Sequence, residues 1–76
     1  MQNCLDLHGT KHRDVFRKVD SFISAHVQNR TKEVEIITGY SSEMKKLVNE
    51  VLLDYGATYE EAWMNPGKII ISLVWF

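Results

Sequence analysis

A short apolar strand, a glycine and an amphipathic helix follow one another twice before Gly56, and that succession limits the folds open to the chain. In the first unit, Leu5-Asp6-Leu7-His8-Gly9 alternates apolar and polar residues. Leu5 and Leu7 therefore face one way in an extended chain, and Asp6 and His8 the other. From Thr10, read as the N-cap, Val15, Phe16, Val19, Phe22, Ile23 and Val27 recur at spacings of three and four, which predicts a helix to about Asn29. Arg30-Thr31-Lys32 is a polar connection. In the second unit, Glu33-Val34-Glu35-Ile36-Ile37-Thr38 reads as a strand and Gly39-Tyr40-Ser41-Ser42 as a turn with capping hydroxyls. Met44, Leu47, Val48, Val51, Leu52 and Tyr55 form the stripe of a second helix that stops at Gly56.

Two strands remain. Ala57–Trp63 has an exposed polar side, and Trp63 is expected to pack across a hairpin. Asn65-Pro66-Gly67 reads as the turn, with proline at its second position and glycine at its third. Lys68–Val74, centred on Ile69-Ile70-Ile71, is the most apolar strand and is expected in the middle of the sheet. The order is β-α-β-α-β-β. A strand–helix–strand crossover makes the first two strands parallel, and a short turn makes the last two antiparallel. The expected fold is an α/β (α+β) two-layer sandwich, a four-stranded mixed sheet with two helices, occupying residues 1–76 as one domain. Whether both helices cover the same sheet face is left open by the pattern.

Composition removes several classes of function. A net charge of −1 excludes a polycation that coats nucleic acid indiscriminately. The lone Cys4 excludes an internal disulfide and a thiolate metal site, and reads as a small buried hydrophobe. No apolar run is long enough to span a membrane, and Met1-Gln2-Asn3-Cys4 lacks the regions of a signal peptide, so a cytoplasmic protein without a membrane partner is expected. The apolar end Leu73-Val74-Trp75-Phe76 either completes the core or supports a weak homodimer, so a monomer or weak homodimer is expected.

The charges are unevenly placed. Lys11, Arg13, Arg17 and Lys18 are opposed only by Asp14, and Lys45 and Lys46 follow the second glycine loop. Glu33, Glu35, Asp54, Glu60 and Glu61 lie elsewhere. If the first two strands are parallel, their carboxyl ends share one edge. Asp6, His8 and Gly9 then come beside Thr38, Gly39, Tyr40 and Ser41, where both helices begin. Helix N-termini suit phosphate, and Lys11, Arg13, Lys45 and Lys46 start from the same end.

Each of these residues has a sharp and a plain reading. His8 acts as general acid or base with Asp6 orienting its ring, or it tethers the turn while Asp6 accepts backbone N–H bonds. Thr38 and Gly39 hold a phosphate through their N–H groups, or form a plain turn. Ser41 is an N-cap or a substrate contact. Tyr40 stacks on an unpaired base or covers the loop. Asp6, His8 and His12 lack the spacing of a preorganised metal site, so no cofactor is expected and a divalent ion is the lesser alternative. His12 reads as solvated, and His26, on or near the apolar stripe, as packed or edge-exposed.

Leu5-Asp6-Leu7-His8-Gly9 resembles the LDLHG signature of the Smr (small MutS-related) domain. Thr38-Gly39, after Val34-Glu35-Ile36-Ile37, resembles the start of that family's TGxG signature, and Asn65-Pro66-Gly67-Lys68-Ile69-Ile70-Ile71 its glycine turn and last strand. The second glycine of TGxG is Ser41 here, and the loop is shorter than in the longer family form. The resemblance covers nearly the whole chain, as in a minimal stand-alone Smr domain. It implies a sandwich like the C-terminal domain of translation initiation factor three. It also implies binding to structured or branched nucleic acid and, in many members, endonuclease activity on DNA or RNA, in some at stalled or collided ribosomes. The expected function is therefore nucleic-acid binding, with cleavage of RNA or DNA phosphodiesters by His8 assisted by Asp6. Gly9, Lys11, Arg13, Thr38, Gly39, Tyr40, Ser41, Lys45 and Lys46 would contact the nucleic acid. The alternatives are a non-catalytic nucleic-acid- or ribosome-binding module and a protein-interaction adaptor.

Overall fold

The computed structural model describes residues 3–73. Its elements run β1 (Cys4–Asp6), α1 (His12–Gln28), β2 (Glu33–Ile37), α2 (Ser42–Asp54), β3 (Tyr59–Ala62) and β4 (Asn65–Ser72). The sheet order is β1-β2-β4-β3. β1 lies parallel to β2, and β4 lies antiparallel to both β2 and β3. The apolar β4 is thus an inner strand, as its run of isoleucines predicts.

Alternation along the strands settles where the helices lie. Leu7, Val34, Ile36, Ile69 and Ile71 are fully buried, and Leu5 and Tyr59 pack partly against them. The residues between them, including Glu33, Glu35, Lys68, Ile70 and Ser72, are half-buried or exposed. One sheet face is therefore covered, and α1 and α2 pack beside each other on it. From α1 come Val15, Val19 and Ile23, and from α2 Met44, Val48, Val51 and Leu52. Each large aliphatic side chain so buried contributes about 1.5–3 kcal/mol. Past the end of α2 the Tyr55 hydroxyl donates to Asp20 Oδ1 at 2.7 Å, tying that end to the middle of α1. That bond and partial burial hold the Tyr55 hydroxyl above the ordinary tyrosine range.

His26 is buried, with its ring edge-on to Phe22 and its Nδ1 2.9 Å from Thr31 Oγ1. Cys4 is half-buried on the open face, and its thiol is pushed up first by burial and then by the nearby Glu35 carboxylate. A thiol so placed is held in its unreactive form. Among the described residues no helix is long and apolar enough to cross a membrane.

Two local expectations are corrected. The N-cap of α1 is Lys11, not Thr10, and no side chain caps it. Thr10 is held one residue earlier by its N–H, which donates to Leu7 O at 2.9 Å to close a turn. The hairpin turn is Trp63-Met64, between the paired residues Ala62 and Asn65, and not Asn65-Pro66-Gly67. Pairing then jumps from Ala62↔Asn65 to Glu61↔Ile69, so Pro66, Gly67 and Lys68 bulge out of the β3 ladder. Proline has no N–H to give to that ladder, and Asn65 Oδ1 accepts from Gly67 N–H at 3.2 Å. The turn-forming residues thus build a turn inside a bulge. Trp63 in consequence sits at the hairpin tip, 89% exposed, and does not pack across the hairpin. Leu73 is buried, while the expectation for Val74, Trp75 and Phe76 lies outside the described residues.

Candidate nucleic-acid interface

The strand directions bring four segments to one edge of the sheet. β1 and β2 end there, β4 begins there, and β3 runs into its hairpin there. The expected meeting of the two glycine loops is realised in the backbone: Leu7 N–H donates to Ile37 O at 2.9 Å.

The first loop is a turn over Leu7-His8-Gly9-Thr10. Leu7 is fully buried and anchors it, and Gly9 takes φ +78° at the third position, where a left-handed residue is required. His8 therefore occupies the outer corner, exposed. Asp6 Oδ1 accepts from the main-chain N–H of His8 at 2.8 Å, so the carboxylate braces the turn and does not grip the imidazole. Asp6 lies on the open face of the sheet, in one row with Ile37 and Lys68.

The second loop is tied differently. Thr38 is buried, and the N–H groups of Thr38 and Gly39 both donate to Gly67 O, at 2.9 and 3.0 Å. The Thr38 hydroxyl donates to Gly39 O at 2.9 Å. Ser41 caps α2 by accepting from Met44 N–H at 3.1 Å. The two N–H groups that the sequence offers to a phosphate are thus taken up by the β4 bulge. What this loop turns outward is the Tyr40 ring, 80% exposed, ahead of the first-turn amides of Ser42 and Glu43.

The cations divide into free and engaged. Lys11, Arg13 and Lys46 are exposed. Lys45 Nζ lies 2.6 Å from Glu61 Oε2, joining α2 to β3, and its charge is largely neutralised there. Lys68 lies 3.5 Å from Glu35 across the open face. His12 Nδ1 lies 3.6 Å from Glu43 Oε1, an ion pair between the two helix starts when the imidazole is protonated. Lys18 reaches back to Thr10 Oγ1 at 3.4 Å, which adds a positive charge beside the first loop. The sequence groups Lys18 with Lys11, Arg13 and Arg17, and its contact with Thr10 is what brings it back to the loop. Among the described residues no group of three or more His, Cys, Asp or Glu side chains is placed to hold a metal ion.

The arrangement is open and shallow. The edge carries an exposed imidazole at a braced corner, exposed cations on the helix starts and an exposed ring. Such an edge suits an extended polyanion more than an enclosed small molecule. The Smr domain family model matches residues 5–69, and the chain belongs to the Smr domain family. Comparison with curated proteins and with solved structures gives no match.

Proposed function

We propose that this Smr domain binds nucleic acid along the β1–β2 edge and that His8 acts there as the acid or base of phosphodiester cleavage. The observation that carries the reading is the exposed corner position of His8, on a turn fixed by Leu7, Gly9 and Asp6, beside the cations at the start of α1. Lys11, Arg13, Lys18 and Lys46 supply sequence-independent attraction for phosphates. RNA is the favoured substrate on chemical grounds. A neutral imidazole can take the proton of a ribose 2′-hydroxyl as its oxygen attacks the adjacent phosphorus. The bond to the 5′-oxygen breaks, the imidazolium gives its proton, directly or through water, to that leaving oxygen, and a 2′,3′-cyclic phosphate remains with the imidazole again neutral. No group beyond the nucleic acid and an acid–base residue enters the balance.

A second reading, binding without cleavage, is favoured by two bonds. Asp6 holds the His8 main chain and not its ring, and the Thr38 and Gly39 amides serve Gly67. Both leave His8 with less support than an acid–base residue ordinarily receives.

The experiment is a binding and cleavage assay on single-stranded, duplex and branched RNA and DNA, with and without divalent metal. Binding should weaken steeply with salt, the logarithmic slope changing by about 0.7–0.9 for each phosphate neutralised. Cleavage should fall about 100-fold or more in His8→Ala, the scale of a lost acid–base group, with binding retained. Equal cleavage by wild type and variant removes His8 from the chemistry. Binding without cleavage by either protein establishes the second reading, and affinity indifferent to salt removes both.

A further inference from the structure

The β3–β4 hairpin tip carries two apolar side chains that the fold does not use. Trp63 is 89% exposed and Met64 82% exposed. Met64 moreover takes φ +60°, a conformation that glycine or asparagine enters at less cost. A two-residue turn built from tryptophan and methionine therefore sacrifices both backbone comfort and burial. Strain and apolar exposure at one place point to a role outside the fold.

The position of the tip narrows the role. Asn65 at its base accepts from Gly67 N–H, and Gly67 O accepts from Thr38 and Gly39, so the hairpin is bonded to the second glycine loop, one residue from Tyr40. The segment from Ala62 to Gly67 carries no charged side chain, while Lys46, Lys11 and Arg13 are on the helix starts of the same edge. Glu60 and Glu61 precede the tip, and Glu61 is paired with Lys45 of α2, so the uncharged π and thioether surface lies on the sheet edge at which both cation-bearing helices begin. The two match the parts of a nucleotide: a base face for the tip and phosphates for the helix starts. Only a base outside a duplex offers its face.

We infer that Trp63, flanked by Met64, is a stacking arm for an unpaired base, which makes single-stranded nucleic acid the preferred ligand of this edge. The inference rests on the nucleic-acid reading above and goes beyond it by naming the ligand's state. The indole supplies the platform, and Met64 widens it with polarisable surface. Tyr40, at the other end of the Gly39–Gly67 contact, is placed to take a second base.

The test measures binding of short labelled oligonucleotides, single-stranded and blunt duplex, by anisotropy at one salt concentration. Wild type should prefer the single strand. Trp63→Ala should weaken single-strand binding about 5- to 100-fold, the range for loss of one aromatic stacking partner, with duplex binding changed by no more than about twofold. Trp63→Phe should recover most of the loss. The side chain is exposed, so both variants should melt with the wild type. If Trp63→Ala binds the single strand as wild type does, the stacking arm is refuted while the nucleic-acid reading stands. An equal loss on both ligands refutes selection for unpaired bases. A wild type that binds neither ligand refutes the nucleic-acid reading itself. If Trp63→Ala instead dissociates a homodimer in sedimentation, a second copy and not a base occupies the tip.

Discussion

The two glycine loops of this domain share a plan and differ in what holds them. Each follows one of the two parallel strands, places a glycine at positive φ and opens a helix. The first is braced from within, by Asp6 on the His8 N–H and by Thr10 on Leu7 O, and its helix begins with no side-chain cap. The second is held from outside by the Gly67 carbonyl, has a buried threonine at its centre, and is capped by Ser41. The loop whose turn is closed by its own residues presents its polar side chain to solvent. The loop bound to a neighbouring strand gives its threonine and glycine N–H groups to the fold and presents a ring. Similar sequence signals thus yield one loop that exposes a histidine at its corner and one that is bonded into the sheet.

The strongest way to break this contrast is kinetic. His8→Ala should slow cleavage about 100-fold or more while leaving the melting temperature unchanged, because the ring is exposed. A marked drop in melting temperature would move His8 into the scaffold. Next in size, Thr38→Val removes a buried hydroxyl that donates to Gly39 O and should cost about 1–2 kcal/mol in urea unfolding. The matching change Thr10→Val should stay within about 0.5 kcal/mol, since the Thr10 hydroxyl it removes accepts only a long bond from Lys18 and the N–H to Leu7 O is kept. Equal losses would erase the distinction. Helix capping sharpens it further. Ser41→Ala should cost about 1 kcal/mol and Lys11→Ala about half of that or less, compared by thermal melts. The smallest effect concerns charge. Glu61→Gln frees Lys45 from its 2.6 Å partner and should tighten nucleic-acid binding about twofold to threefold, with a steeper salt dependence. An unchanged salt slope would show that Lys45 does not face the ligand.

The alternation of Leu5, Leu7, Val34 and Ile36 and the helical stripes made the fold legible, because burial imposes those periods directly. Parallel pairing of β1 and β2 then brought His8 and Tyr40 to one edge, as the sequence implies. The hairpin was misplaced because Asn65-Pro66-Gly67 has turn chemistry, and local chemistry does not reveal whether a turn ends a strand or bulges it. The pairing partner of each residue decides that, and pairing is non-local. The bonds of Thr38 and Gly39 to Gly67 were hidden for the same reason, since they cross from β2 to β4. The role of Asp6 was open in sequence because one carboxylate reaches either the ring or the N–H of His8, and only the turn geometry selects the N–H.

The strand order has a consequence for how this chain behaves among copies of itself. Ile69-Ile70-Ile71 is the kind of uncharged β-branched run that stacks into fibrils when its edges are open. In the order β1-β2-β4-β3 it is flanked on both sides, and the outermost strands are the three-residue β1 and the four-residue β3. β3 carries Glu60 and Glu61, and its pairing is broken by the bulge after Glu61. Short, acidic and irregular borders give an approaching strand little to template on. The same bulge that orders the second glycine loop thus also interrupts the ladder of the sheet's outer strand.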